Sequence, residues 1–190
     1  MRGAQIDWYV GSLASLVALP AAVIAVDMPL ALPVDGTRRA CEVAARARLG
    51  AARSSIFFAP PLAVLEARDH RHASELSRAA GSVGVSIQTW NIVPKIREAL
   101  ALPEDPRLLE VHPELSFRAL GPVTASKKTA AGRAERLALL GSPGLPRAIA
   151  PAEDMIDALA CATTAQRWLA GSAEVLGEEV LAGRLSRIVV

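Results

Sequence analysis

The sequence predicts an α/β protein, in which a mixed sheet is flanked by helices, for two reasons. The run 23–26 is short and continuously apolar, and 108–111 is apolar except for Glu110, which is typical of strands covered on both faces. Longer segments with helical composition lie between these runs and after the second one. With 190 residues, 52% of them hydrophobic, the chain is expected to form a single domain, 1–190, with a substantial core.

Local signals delimit the elements around these strands. Ser12 can cap a helix that Pro20 ends, Gly50 can end the next helix, and Pro151 can begin the last one. In chain order we expect an edge strand (4–10), a helix (12–19), a buried strand (22–26), three helices (37–49, 61–80 and 86–102), a second buried strand (108–111), two helices (126–140 and 150–170) and a terminal strand (185–190).

Charge and cysteine content narrow the class of protein. The formal net charge is +2 and there is no long run of like charges, so no nucleic-acid-binding tail is expected. Cys41 and Cys161 lie far apart and neither belongs to a CxxC pair. We therefore predict two buried free thiols rather than a zinc site.

The uncharged stretch 8–26 is long enough to be considered as a membrane helix or a signal peptide. Asp7 stands where a signal peptide carries positive charge, and Gly11 and Pro20 interrupt the stretch. We therefore expect no membrane association and a cytoplasmic location.

Four carboxylates are the candidate catalytic and metal-binding residues. Asp27 and Glu110 stand at the ends of the two buried strands, while Asp154 and Asp157 are three residues apart and share one helix face. Carboxylates are the ligands that Mg²⁺ or Mn²⁺ prefers, and such ions can activate water for phosphodiester hydrolysis. Asp154 could instead serve only the helix dipole. Asp157 lies in an apolar sequence, where an unpartnered acid is costly.

Three lysines are the candidate phosphate contacts. Lys127 and Lys128 lie in the segment 126–129, which opens a helix whose N-terminus favours anions, and Lys95 lies in an earlier helix. Each could equally be a solvated surface residue. The segment is not a P-loop, because no GxxxxGK motif precedes it.

Together these motifs resemble the domain-of-unknown-function 429 family, predicted nucleases of RNase H-like fold. The matching motifs occur in the family's order: 26–29 with 32–33, 39–42 with 45–46, 53–57 with 59–60, Gln88 with 94–98, 110–114 with 116–117, 126–129 with Gly132 and Arg136, and 154–160. The resemblance implies an RNase H-like mixed sheet with a helical insertion, about 37–105, between its fourth and fifth strands. It places Asp27 on the fourth strand, Glu110 near the fifth, and Asp154 and Asp157 on the closing helix.

The chain departs from the family pattern at its beginning. The segment 4–10 matches the third strand best, and Asp7 is a poor match for the acid of the first strand. We therefore expect that the N-terminal strands are missing from this sequence, through a start placed too late. The alternatives are a repurposed N-terminal strand or a degenerate, inactive family member.

The resulting prediction is a divalent-metal-dependent nuclease that cleaves DNA or RNA with a metal-activated water. One alternative is a catalytically degenerate RNase H-like scaffold that binds nucleic acid or protein. Another is a nucleotide or phosphate-ester hydrolase on the same fold. Nucleic acid is the expected partner, and an exposed strand edge suggests a homodimer.

Overall fold

The computed structural model describes residues 5–147 and 149–190, which form a mixed α/β structure with small sheets. The helices within these residues are Leu13–Val17 (α1), Ala40–Leu49 (α2), His70–Ala79 (α3), Ile87–Ala101 (α4), Pro113–Leu120 (α5), Ala130–Leu139 (α6) and Ala152–Leu169 (α7). The strands are Ile24–Val26 (β1), Leu108–Glu110 (β2), Val175–Leu181 (β3) and Arg184–Val189 (β4). Two 3₁₀ helices span Gly50–Ser55 and Leu62–Glu66.

The chain divides into two compact units. The first unit comprises the chain up to Asp27, Arg107–Glu174 and Val189–Val190. The second unit comprises Met28–Pro106 and Val175–Ile188. Each unit has a hydrophobic core of its own.

The first unit is organised by a short parallel strand pair. β1 pairs with β2 so that Ile24 lies opposite Leu108 and Val26 lies opposite Glu110. Val111 extends this pairing through a parallel bridge to Val189. Because both strands run in the same direction, their carboxyl ends meet at one edge, where Asp27 and Glu110 lie.

Helices α5, α6 and α7 pack together over this strand pair. Phe117 on α5 is fully buried against Ile156, Leu159 and Ala160 of α7. Cys161, one residue further along α7, is buried with Leu109, Val111 and Val189. Burial of a large aromatic or branched side chain contributes roughly 1.5–3 kcal/mol, so this packing fixes α7 relative to the strands.

The second unit consists of helices α2 to α4 and the paired strands β3 and β4. A two-residue turn, Ala182-Gly183, joins the strands with positive φ at both positions, as a type I′ hairpin requires. A buried ion pair lies at the start of α2, where Arg39 Nε donates to Glu42 Oε1 at 2.8 Å. The same Glu42 oxygen accepts from the backbone N–H of Ala59 at 2.8 Å.

Several sequence predictions are confirmed by the fold. Both buried strands form, Ser12 caps α1, Gly50 ends α2, and Pro151 precedes α7. Cys41 and Cys161 are both buried, and neither forms a disulfide. Within the described residues, no helix has the length and hydrophobicity needed to cross a membrane.

Two predictions about individual elements are wrong. No strand forms over 5–10, and Ala4 lies outside the described residues; instead Ile6 and Trp8 pack on the core of the first unit. The predicted helix 61–80 is two elements, because Asp69 caps α3 by accepting from the N–H of His72 at 2.8 Å. Helix α5 and strand β3 were not predicted. The RNase H-like topology remains a prediction.

Candidate functional site

The candidate site lies in the first unit, at the carboxyl ends of β1 and β2. Asp27 directly follows β1, and Glu110 is the last residue of β2 and is buried. The register that pairs Val26 with Glu110 brings these two acids to the same end of the strand pair. Such an edge is the usual ligand site of parallel α/β sheets.

Helix α7 adds a third acid to this edge. Asp157 lies beside Ile156, whose burial in the first-unit core orients this turn of the helix. Further along α7, the hydroxyl of Thr164 donates to the hydroxyl of Ser116 on α5 at 2.8 Å, in a buried position. This hydrogen bond and the apolar packing fix the position of α7, and Asp157 is held with it.

We call Asp27, Glu110 and Asp157 the acidic cluster, because the charges of Glu110 and Asp157 both act on the carboxyl of Asp27. The pKa of Asp27 is raised from 3.8 to about 7, first by burial of its carboxyl and then by the negative charge of Asp157, with Glu110 adding to the rise. The positive charge of Lys127 opposes it. Asp27 keeps contact with solvent at its surface, but protein surrounds its carboxyl closely enough for desolvation to be the largest cause. Like charges held together in this way are typical of sites that bind cations or move protons.

Lys127 supplies the positive charge of the site. Its Nζ donates to Asp157 Oδ2 at 2.8 Å. Burial pulls the pKa of Lys127 down, but the hydrogen bond and attraction to Asp157, together with Asp27 and Glu114, outweigh it, so the pKa is raised. The ammonium group therefore stays charged beside the acidic cluster at neutral pH.

The loop that carries Lys127, residues 124–129, is tied to helix α6. Glu135 accepts hydrogen bonds from the backbone N–H groups of Thr124 and Ala125 and from the Thr124 hydroxyl. Thr129 caps the helix by accepting from the N–H of Gly132 at 3.0 Å. These bonds lower the pKa of Glu135 and fix the loop at both of its ends.

Gly132 and Arg136 complete this support. A Cβ at position 132 would lie against the carbonyl of Ser126, well inside van der Waals contact, so only glycine allows the loop this close to α6. The guanidinium of Arg136 is 3% exposed; it donates to the carbonyl oxygens of Ala125 and Gly132 and to both carboxylate oxygens of Glu114, each at 3.1 Å. Both hydrogen bonds to Glu114 come from the same nitrogen, Nη2, and are charge-assisted.

Comparison with known protein families places nearly the whole chain in one of them. Residues 5–181 match a family described as proteins of unknown function, DUF429. The chain belongs to the DUF429 family. Neither the curated proteins nor the solved structures gave a match to this chain.

In this DUF429 protein, four of the predicted site residues are brought together, and the other three are exposed or lie in the second unit. Asp27, Glu110, Asp157 and Lys127 are brought together, as described above. Asp154 is exposed in the first turn of α7, and Lys128 is exposed in the 124–129 loop. Lys95 belongs to the second unit, where its Nζ lies 3.8 Å from Glu98 Oε2 in an i,i+3 pair on α4.

The acidic cluster fits a hard divalent cation by its chemistry. Carboxylate oxygens are the preferred donors for such ions, and a positive ion would relieve the repulsion that raises the pKa of Asp27. Within residues 5–147 and 149–190, no group of three or more His, Cys, Asp or Glu side chains is arranged as a metal site. Mg²⁺ commonly uses only one or two carboxylates and keeps its waters, so Asp27 and Glu110 are the residues that could hold such an ion.

Sequence reasoning missed the role of the pair formed by Glu114 and Arg136 in this DUF429 chain. In the sequence Arg136 stands out only as part of the family motif that follows 126–129, whereas the structure buries it beneath the 124–129 loop. A usable signal was its spacing four residues after Gly132, which places both on one face of α6.

Proposed function

We propose that this DUF429 protein is a divalent-metal-dependent phosphodiesterase that acts on DNA or RNA. The observation that supports this most is the raised pKa of Asp27, to which burial and the negative charges of Asp157 and Glu110 contribute, at one edge of a parallel strand pair. Natural proteins rarely concentrate like charges without a functional reason, because doing so lowers stability. An RNase H-like topology, suggested by the family resemblance, is part of the proposal.

Each residue has a distinct part in the proposed reaction. Asp27 and Glu110 would hold Mg²⁺ or Mn²⁺, with Asp157 orienting Lys127 and bordering the ion. When bound, the ion would act as a Lewis acid for a phosphoryl oxygen and would help to activate water. Lys127, charged and fixed by the 124–129 loop, would attract the phosphate group and offset charge that develops on it. Lys128 would contact a neighbouring phosphate, and Asp154 would be an outer ligand.

The proposal is tested by ion binding and by cleavage on the same set of proteins. Mg²⁺ and Mn²⁺ are titrated calorimetrically into the wild type and into Asp27→Asn, Glu110→Gln and Asp157→Asn. We expect each substitution to weaken ion binding at least about tenfold, as changes at metal sites generally do. Glu104→Gln, which removes an exposed carboxylate in the second unit, is the matched control and should bind as the wild type does.

Cleavage is then measured with end-labelled single-stranded DNA, single-stranded RNA and duplex DNA. Ion-dependent cleavage that is lost in Asp27→Asn and kept in Glu104→Gln would support the nuclease. Hydrolysis of ATP without cleavage of any polynucleotide would instead indicate a small phosphate ester as substrate. Wild-type protein that binds neither ion would refute the proposal.

One observation favours a second candidate, a non-catalytic scaffold that binds nucleic acid. The ammonium of Lys127 already neutralises Asp157 at 2.8 Å, so the cluster is partly compensated without any ion. On this view the lysine has taken over the charge-balancing role of a metal. Lys127→Met separates the two candidates: it should strengthen ion binding in the nuclease, because it removes a competing cation, and should have no such effect in the scaffold.

A further inference from the structure

A surface of the second unit combines two arginines with adjacent aromatic rings. The guanidinium carbon of Arg38 lies 4.2 Å from the centroid of the Phe58 ring, and that of Arg46 lies 4.8 Å from the same centroid. Both distances are within the range of cation–π attraction. We call Arg38, Arg46, Phe57 and Phe58 the Arg–Phe surface.

The Arg–Phe surface concentrates positive charge. Because both guanidinium carbons lie close to one centroid, they are at most about 9 Å apart, which is comparable to one Debye length at physiological salt. Residues 34–58 contain five arginines and only two acids. One of those acids, Glu42, is buried and paired with Arg39. The segment therefore offers an excess of positive charge that suits an anion.

Arg46, which lies against the Phe58 ring, is held in place by backbone hydrogen bonds. Arg46 Nη1 donates to the carbonyl oxygen of Arg53 at 2.8 Å and also to that of Ile56. Ile56 itself is 3% exposed and anchors the end of this segment. The neighbouring side chain of Phe57 is 38% exposed, and Arg38 is exposed as well. The segment thus presents the Arg38 guanidinium and the Phe57 ring to solvent.

We propose that the Arg–Phe surface binds single-stranded nucleic acid, with the exposed guanidinium of Arg38 contacting a phosphate and a base stacking on Phe57 or on the Arg38 plane. This inference takes its choice of ligand from the proposed function, but it concerns a separate surface and does not require cleavage. Exposed aromatic rings interleaved with arginine are the usual recognition pattern for unpaired bases, because every base has a π-face. A duplex keeps its bases stacked inside and could use only the charge. An acidic protein would use the arginines and leave the exposed ring without a partner.

The test is a fluorescence anisotropy titration of the full chain against a labelled 20-nucleotide oligothymidylate, in EDTA so that no cleavage occurs. Arg38→Gln and Phe57→Ala remove the exposed guanidinium and the exposed ring. Each is expected to weaken binding about tenfold, the usual scale for one base-stacking contact. Arg38→Gln should also reduce the slope of log K against log salt by about 0.7, while Phe57→Ala should leave the slope unchanged.

Arg71→Gln is the matched control. Arg71 belongs to the second unit, its side chain is 91% exposed, and the substitution removes the same charge. It is expected to bind as the wild type does. Thermal unfolding of each variant verifies that the fold is retained; because Arg38 and Phe57 are both exposed, neither substitution is expected to unfold the protein.

Three results would overturn the proposal. The first is that Arg38→Gln and Phe57→Ala bind the oligonucleotide no more weakly than Arg71→Gln. The second is that a 20-base-pair duplex binds as tightly as the single strand. The third is that polyglutamate of equal charge competes equally well, which would indicate an acidic protein as partner. If the inference holds, Asp27→Asn binds the oligonucleotide in EDTA as tightly as the wild type does. A loss of cleavage at the acidic cluster is thereby distinguished from a loss of binding at the Arg–Phe surface.

Discussion

Replacement of Asp27 by asparagine should stabilise the protein at pH 8 and leave it unchanged at pH 4. In the folded state the carboxyl has a pKa of about 7 in place of 3.8, because burial, Asp157 and Glu110 disfavour its charged form. The folded state therefore binds this proton more tightly than the unfolded state. It follows that the free energy of unfolding falls as the pH rises from about 4 to about 7, and the full penalty is present above pH 7. Asparagine carries no charge and escapes that penalty.

The size of the effect follows from the shift of the Asp27 pKa. A rise of roughly three pKa units, at about 1.4 kcal/mol per unit, sets an upper limit of ~4 kcal/mol on the penalty at pH 8. Solvent reaches Asp27 and screens its neighbours, so we expect about 1–2 kcal/mol to be observed. For a domain of this size that gain corresponds to an increase in Tm of about 2–8 °C.

Urea unfolding at half-unit steps from pH 4 to pH 8, for the wild type and Asp27→Asn, measures this penalty. The difference between the two free energies of unfolding should grow from zero to its plateau across the interval from about pH 4 to pH 7. Asp154→Asn is the control: this exposed acid should show only a small loss from the helix dipole and none of the stabilisation expected at Asp27. A destabilised Asp27→Asn at pH 8, or a difference that does not vary with pH, would show that Asp27 is a structural acid.

Two further predictions concern the support of the 124–129 loop. Arg136→Met should lower the free energy of unfolding by about 3–5 kcal/mol, because it leaves the partly buried carboxylate of Glu114 without its partner. Adding Glu114→Met should restore part of that loss in urea unfolding, and a double variant as unstable as the single one would refute this cause. Gly132→Ala should destabilise by about 1–3 kcal/mol through its clash with Ser126, although alanine ordinarily favours a helix by about 1 kcal/mol. Gly144→Ala, with no atom within 4 Å of the added Cβ, should be neutral in the same thermal unfolding assay, and equal effects at the two positions would contradict the argument.

The parts of the fold that depend on local chemistry could be predicted from the sequence. Ser12 and Gly50 cap their helices by hydrogen bonds to residues three or four positions away, so the local sequence is enough to predict them. Strands β1 and β2 are short and mostly apolar, and that composition alone indicates buried strands. Strand β3 could not be recognised in the same way, because Gly177 and the acids Glu178 and Glu179 interrupt its apolar pattern. Helix α5 did carry a start signal, proline at its first position followed by an acid, and it could have been predicted.

The sequence allowed us to predict which types of residue form the candidate site, but not which of them contact one another. Acids at strand ends and on a helix face indicated where carboxylates would lie, and the strand register agrees for Asp27 and Glu110. The partnership of Lys127 with Asp157 joins positions 30 residues apart, and no local spacing encodes such a contact. The inward burial of Arg136 likewise depends on tertiary packing, because arginine is ordinarily a surface residue.

The two cysteines have a practical consequence for experiments on this chain. Cys41 is buried in the second unit and Cys161 in the first, and burial raises the pKa of the Cys161 thiol well above its usual range. A thiol in that condition does not react with alkylating reagents until its surroundings open. The rate at which each cysteine is labelled, read by peptide mass spectrometry, therefore reports the opening of one unit without any engineered probe. Wild-type protein already contains one reporter for each half of its fold, so ion or oligonucleotide protection of either half can be followed separately.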